Sequence, residues 1–213
     1  HDYEIKLDHR SGKANTWRIN SLQDKLREID IFGHKAHNKF IPKNYIYNSV
    51  DIRLAVLQGL LDTDGTCSIS KRTKKQASRT IYTTVSKQLA LDVKEIVQSL
   101  GGLCSMVFYF ATCNGKKFPT YRCEIRLPFS IKPFRLTRKI ERYTPRDMGV
   151  LKRTIKNIEY IGKDKARCIT VESEDGLFCT DNFVITHNCG KSIIATNIGS
   201  YVAEYENVPV LNM

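Results

Sequence analysis

The 213 residues carry 34 Lys and Arg against 22 Asp and Glu, a formal charge of +12, with 41% hydrophobic side chains, enough to bury one good core or two small ones. That balance excludes a disordered tail, and no run approaches the roughly 18 consecutive apolar residues a membrane span needs, so no membrane partner is expected. The excess charge favours a polyanion, nucleic acid first, over a merely solvated basic surface.

The first residues contain neither an initiator Met nor a signal-peptide core, and the last ones, 208–211, read as a strand cut short, so a segment of a longer protein is expected. Residues 3–8 and 15–20 read as strands around the turn at 10–13, and 22–29 as a helix with Leu22, Leu26 and Ile29 on one face. The stretch 51–61 is apolar on nearly every side, which predicts a helix buried on more than one face. It runs into Asp62-Thr63-Asp64-Gly65, and two strand-like runs follow, 66–71 and 80–85, around a basic turn. Ser86 is placed to cap a helix whose Leu89, Val93, Ile96, Val97 and Leu100 share one face, and Gly101-Gly102 stops it. Strands at 103–111 and 120–127 flank Asn114-Gly115, a hairpin signal, and a basic helix is expected over about 133–142.

The order is therefore helix, two strands, helix, two strands, helix, and the leading strand–turn–strand–helix repeats its second half. After residue 146 the pattern changes to short strand-like pieces at 154–160, 167–172, 176–180 and 182–186, the signature of a small all-β domain. A helix at 192–206 and a strand at 208–211 close the chain. Basic side chains concentrate at 132–156 and 71–79. The seven cysteines form no C-x-x-C pair, which argues against a zinc site or a disulfide framework and for a reducing compartment.

Leu57-Gln58-Gly59-Leu60-Leu61-Asp62-Thr63-Asp64-Gly65 resembles the LAGLIDADG motif of homing endonucleases, and the elements after it match that family's αββαββα repeat. The resemblance implies an α+β fold in which two such helices pair. Each delivers one carboxylate to a shared Mg²⁺ site above double-stranded DNA, here Asp64, with Asp62 nearer the helix interface or capping. Lys39-Phe40-Ile41-Pro42 resembles the Lys-x-Ile-Pro stretch before the second motif of intein-borne endonucleases, which implies a catalytic or electrostatic role for Lys39 at the scissile phosphate. Arg72, Lys74, Lys75 and Arg79 on the first hairpin are the candidate DNA contacts. One complete motif is visible; a single-motif enzyme works as a homodimer and a double-motif enzyme carries both helices in one chain. The leading strand–strand–helix and the position of Lys39 favour the second, with the first motif upstream, so that this chain alone should not cut.

The stretches 166–172 and 181–189, ending in Thr186-His187-Asn188-Cys189, resemble the two C-terminal splicing motifs of inteins. That resemblance implies the C-terminal part of an all-β Hint (hedgehog/intein) domain. Asn188 would cyclise onto its own carbonyl and break the bond to Cys189, His187 would assist the departing amine, and the Cys189 thiol would accept the upstream segment. Cys168 stands where inteins carry an assisting Asp or Cys, and with Thr186 it also resembles the class in which that cysteine is the first nucleophile. Splicing of this kind needs no cofactor.

Cys189-Gly190-Lys191-Ser192 and the helix after it resemble the start of a RecA-like P-loop ATPase of replicative-helicase type, a phage terminase being the rival. Gly190, Lys191 and Ser192 would meet ATP and Mg²⁺ only once splicing restores the loop. The expected organisation is a truncated first repeat at 1–32, a second repeat at 33–146, a splicing segment at 147–188 and the start of the host ATPase, covalently attached, at 189–213. The implied setting is the cytoplasm of a prokaryote or its phage. The alternative is a free-standing DNA-binding protein on the LAGLIDADG scaffold that neither cuts nor splices.

Overall fold

The structure is a computed structural model and describes residues 5–9, 12, 16–19, 22–69, 78–145, 148, 157–160, 162, 169 and 171–187. The chain divides into two compact units, 1–151 and 152–213.

The first unit begins with an antiparallel pair, β1 (Ile5–Asp8) and β2 (Thr16–Ile19), followed by helix α1 (Leu22–Glu28) and a short helix α2 (Lys43–Ile46). Helix α3 (Val50–Thr63) starts where the Ser49 hydroxyl accepts the Ile52 N–H, with Asp51 in the first turn favouring the positive end of the helix dipole. It ends because Gly65 folds back onto its last turn: a Cβ on Gly65 would lie 2.5 Å from the Leu61 carbonyl oxygen. Strands β3 (Thr66–Ile69) and β4 (Ser78–Thr84) lead to helix α4 (Lys87–Ser99), capped by Ser86 as the sequence predicts.

Gly101, at φ +74°, then Gly102 turn the chain into β5 (Leu103–Cys113); a Cβ on Gly102 would sit 2.7 Å from the Arg126 carbonyl oxygen. Strand β6 (Lys116–Arg126) returns through Asn114-Gly115, both at positive φ, a two-residue hairpin turn that lets the strands run longer than the periodicity indicates. All four strands from β3 to β6 pair antiparallel in the order β3-β4-β6-β5. One face of this sheet, with Cys67, Tyr82, Cys123 and Ile125, closes over Leu89, Val93, Ile96 and Val97 of α4 and Leu57 and Leu61 of α3.

The helix expected over 133–142 shrinks to α5 (Thr137–Ile140). The residues before it cannot be helical, because Phe134 is drawn into the core and Leu136 is extended, at φ −67° and ψ 120°. The expectation for α3 also needs correction. Leu57, Gln58 and Leu61 are buried, whereas Ile52 and Gly59 are exposed and Val56 and Leu60, half-buried against the core, border a hollow of about 430 Å³. Leu26, Ile29, Ile31 and Phe40 form the hollow's other walls.

In the second unit β7 (Leu177–Thr180) pairs antiparallel with β8 (Val184–His187) across a turn with Asn182 and Phe183 at positive φ. Residues 157–160 of the expected first strand carry no regular structure: Asn157 bonds Glu159 instead, and Ile158 and Tyr160 are exposed. The described residues of the 167–172 run are likewise irregular, and the helix at 192–206 and strand at 208–211 lie outside the described residues.

The two glycines of the 57–65 stretch respond oppositely to a methyl group. Gly59→Ala should raise stability by about 0.5–1 kcal/mol from helix propensity, because nothing lies within 4 Å of its Cβ position, whereas Gly65→Ala should cost about 1–3 kcal/mol through overpacking. Urea unfolding of both variants checks this, and effects of the same sign would contradict it.

Candidate active site and nucleic-acid interface

Two carboxylates leave the end of α3, and their surroundings separate them. Asp62, half-buried, accepts the backbone N–H of Arg135 at 3.0 Å and of Leu136 at 3.3 Å, the two residues just before α5. Gln58, one turn earlier, accepts from the Arg135 guanidinium and donates to the Lys132 carbonyl. Asp64 is exposed, and among the described residues no donor reaches its carboxylate. Its charge is felt by Tyr82, whose hydroxyl is pushed up to about 12, first by burial and then by Asp64. Register explains the proximity: Thr66 pairs with Ile81, so Tyr82 stands across from the chain just before β3.

Lys39 is exposed and borders the hollow beside Val56 and Leu60; Asp64 lies one turn beyond Leu60 on the same stripe of α3. No hydrogen bond or ion pair joins Lys39 to Asp64. What holds Lys39 is α4. The Ser86 hydroxyl, besides capping that helix, donates to the Lys39 carbonyl at 2.6 Å, and Asp92 accepts the Ile41 N–H at 2.7 Å and the Gln88 amide. Burial raises the Asp92 carboxyl above its usual range, against the pull of those two hydrogen bonds. Sequence periodicity marks Asp92 only as an acidic helix residue, and its burial comes from the 39–42 segment folding across it.

The outer face of the sheet carries Arg79 on β4 and Arg122, Glu124 and Arg126 on β6. Arg79 is not a free cation: its guanidinium meets Glu124 at 2.6 Å, and that contact, with Arg126 and Arg122 nearby, holds the Glu124 carboxyl below its ordinary range. Arg122 also lies 6.0 Å from the Tyr109 ring. The alternation Arg122-Cys123-Glu124-Ile125-Arg126 is the signal that marks this outward stripe, cysteine and isoleucine going inward. Arg72, Lys74 and Lys75 lie outside the described residues. So do Cys168, Asn188, Cys189, Gly190, Lys191 and Ser192, and of His187 the backbone alone is described, at the end of β8. Thr186 pairs with Phe178 across the β7–β8 ladder.

Residues 51–103, which hold most of α3, the first two strands of the sheet and α4, match the family described as LAGLIDADG-like domain. The chain is 27% identical over 205 residues to the replicative DNA helicase DnaB of Mycobacterium intracellulare, covering 88% of this chain and 31% of that protein. It is 34% identical over 82 residues to the replicative DNA helicase DnaB of Rhodothermus marinus, covering 38% and 9%. It is also 37% identical over 99 residues to the ATP-dependent DNA helicase Hel308 of Thermococcus kodakarensis, covering 46% and 8%. The chain thus spans under a third of the length of these curated relatives.

The Arg79–Glu124 pair gives a pH test. Glu124 has a folded-state pKa below its unfolded one, so its stabilisation is present above the unfolded value of about 4.3 and is lost as pH falls through the folded one. Glu124→Gln should therefore cost under about 1 kcal/mol at pH 7, as befits a partly exposed pair. Denaturation across pH should show the gap closing in acid, and a gap that widens there would contradict the assignment.

Proposed function

We propose that the chain is the C-terminal part of an intein with an embedded LAGLIDADG endonuclease, followed by the first residues of a P-loop ATPase extein. The parts would be 1–32 (tail of a first repeat), 33–146 (second repeat), 147–188 (Hint splicing segment) and 189–213 (host). One observation carries the nuclease reading. Ile52 and Gly59 of α3 are exposed, Val56 and Leu60 are half-buried and border the hollow, and this side leads to Asp64, which no donor among the described residues reaches, while Asp62 bonds the chain entering α5. A second LAGLIDADG helix packed on that side, its backbone close to Gly59, would bring its own carboxylate next to Asp64.

The residues fit a divalent cation as half a site. Asp64 supplies one free carboxylate, and no group of three or more His, Cys, Asp or Glu gathers to hold an ion among the described residues. When bound, Mg²⁺ activates the attacking water and stabilises charge at the scissile phosphate. Lys39, on a backbone anchored by Ser86 and Asp92, would face that phosphate electrostatically. Arg79 with Arg122 and Arg126, joined by Arg72, Lys74 and Lys75, would grip the duplex across the outer face of the sheet.

The splicing reading is supported by the β7–β8 pair, whose second strand runs directly into Asn188-Cys189. The Asn188 side-chain amide would attack its own main-chain carbonyl, forming a succinimide and releasing Cys189, with His187 protonating the departing amine. The Cys189 thiolate would already hold the upstream segment as a thioester, and an S-to-N shift would complete the peptide bond. Cys168 and Thr186 would assist the coupling of these steps. Relatives named as replicative helicases favour a helicase over a terminase host, with Gly190, Lys191 and Ser192 meeting ATP and Mg²⁺ after splicing.

Mass spectrometry of the incubated chain should show cleavage between Asn188 and Cys189, abolished by Asn188→Ala; a mass unchanged after long incubation would count against the splicing site. In the longer polypeptide carrying both motifs, Asp64→Asn should remove Mg²⁺-dependent DNA cutting and leave splicing intact. Loss of both activities would sink the two-module picture.

A further inference from the structure

The end of α3 is held by a buried ammonium that the proposed reaction does not use. Lys139, on α5, is 7% exposed, and its Nζ donates to the carbonyls of Leu61 at 2.6 Å, Asp62 at 2.8 Å and Gly65 at 2.6 Å. An ammonium has three N–H donors, so all are engaged. The Phe134 ring lies 5.7 Å from it. Two of these acceptors precede Asp64 and one follows it, so the peptide that carries the carboxylate is tied on both sides. Leu61 and Asp62 belong to the last turn of α3, the negative end of its dipole, where a cation is stabilised; the Leu61 carbonyl also accepts the Gly65 N–H at 3.1 Å.

The return contact comes from Asp62, whose carboxylate takes the N–H groups of Arg135 and Leu136, just before α5. No ion pair joins Lys139 to Asp62; each side chain bonds backbone groups of the other's segment. Gly65, lying against Leu61, leaves the turn no slack.

We propose that Lys139 is a positioning residue of the nuclease centre: bound by the Leu61, Asp62 and Gly65 carbonyls, it fixes the backbone of Asp64 and so sets divalent-cation affinity and cutting rate without touching metal or DNA. This rests on the nuclease reading above. Its test uses the longer polypeptide with both motifs, a plasmid carrying the uninterrupted host coding sequence, and Mg²⁺. Lys139→Met keeps the apolar stem and removes the donors. It should lower kcat at least tenfold and raise the Mg²⁺ concentration for half-maximal cutting several-fold, while plasmid affinity measured without divalent metal stays within twofold. A purely structural role would lower affinity and rate together, in proportion to the folded fraction, and would overturn the proposal, as would wild-type rate and metal dependence in a folded variant. Should Lys139→Met fail to fold, Lys139→Gln, with two of the three donors, is read by the same criteria. Asp64→Asn separates the levels: cutting at the wild-type rate in that variant overturns the nuclease reading itself, whereas loss with Asp64→Asn but not with the Lys139 variants overturns the role of Lys139 alone.

Discussion

The C-terminal end of α3 must be satisfied on one side and left bare on the other. A helix end exposes carbonyls that need donors, which a carboxylate cannot supply. Here the donor is Lys139, more than seventy residues away in sequence, while Gln58 and Asp62 of α3 bond the segment that carries it. Asp64 is thereby left without a protein partner among the described residues, on a backbone that neighbours hold from both sides. The shortness of α5, the burial of Phe134 and the obligatory Gly65 all follow from bringing that segment against α3.

The same helix explains why the first unit is asymmetric. Its inner face is packed with Leu57 and Leu61, while Val56 and Leu60 face a hollow and Gly59 faces open space. An apolar stripe of this kind is costly to leave in water, and a glycine in a helix interior lowers stability unless close approach of another backbone requires it. Both features make sense if α3 is built to pair with a second helix. The pairing would bring Asp64 and Lys39, which border the same stripe, to one side of a shared site.

The repeat order and the caps were legible in the sequence because they depend on neighbours three or four residues apart. Ser86 caps α4, its five apolar residues are buried, and Asn114-Gly115 turns the hairpin. The nine-residue resemblance at 57–65 likewise located the domain that residues 51–103 match. What stayed hidden depends on distant segments. Nothing local distinguishes Lys139, which is buried, from Lys132, which is not; Arg79 reads as a free basic residue until β6 brings Glu124 beside it. Strand periodicity also overreached at 157–160, the described end of the 154–160 run, where Asn157 engages Glu159 and no ladder forms.

If the side of α3 that carries Val56, Gly59 and Leu60 receives another LAGLIDADG helix, a photo-cross-linking probe at Val56 in the longer polypeptide should give cross-links that mass spectrometry maps to an apolar helix of a second motif, in the same polypeptide or in a second copy. Cross-links confined to DNA or to the splicing segment, or reaction with water alone, would contradict it.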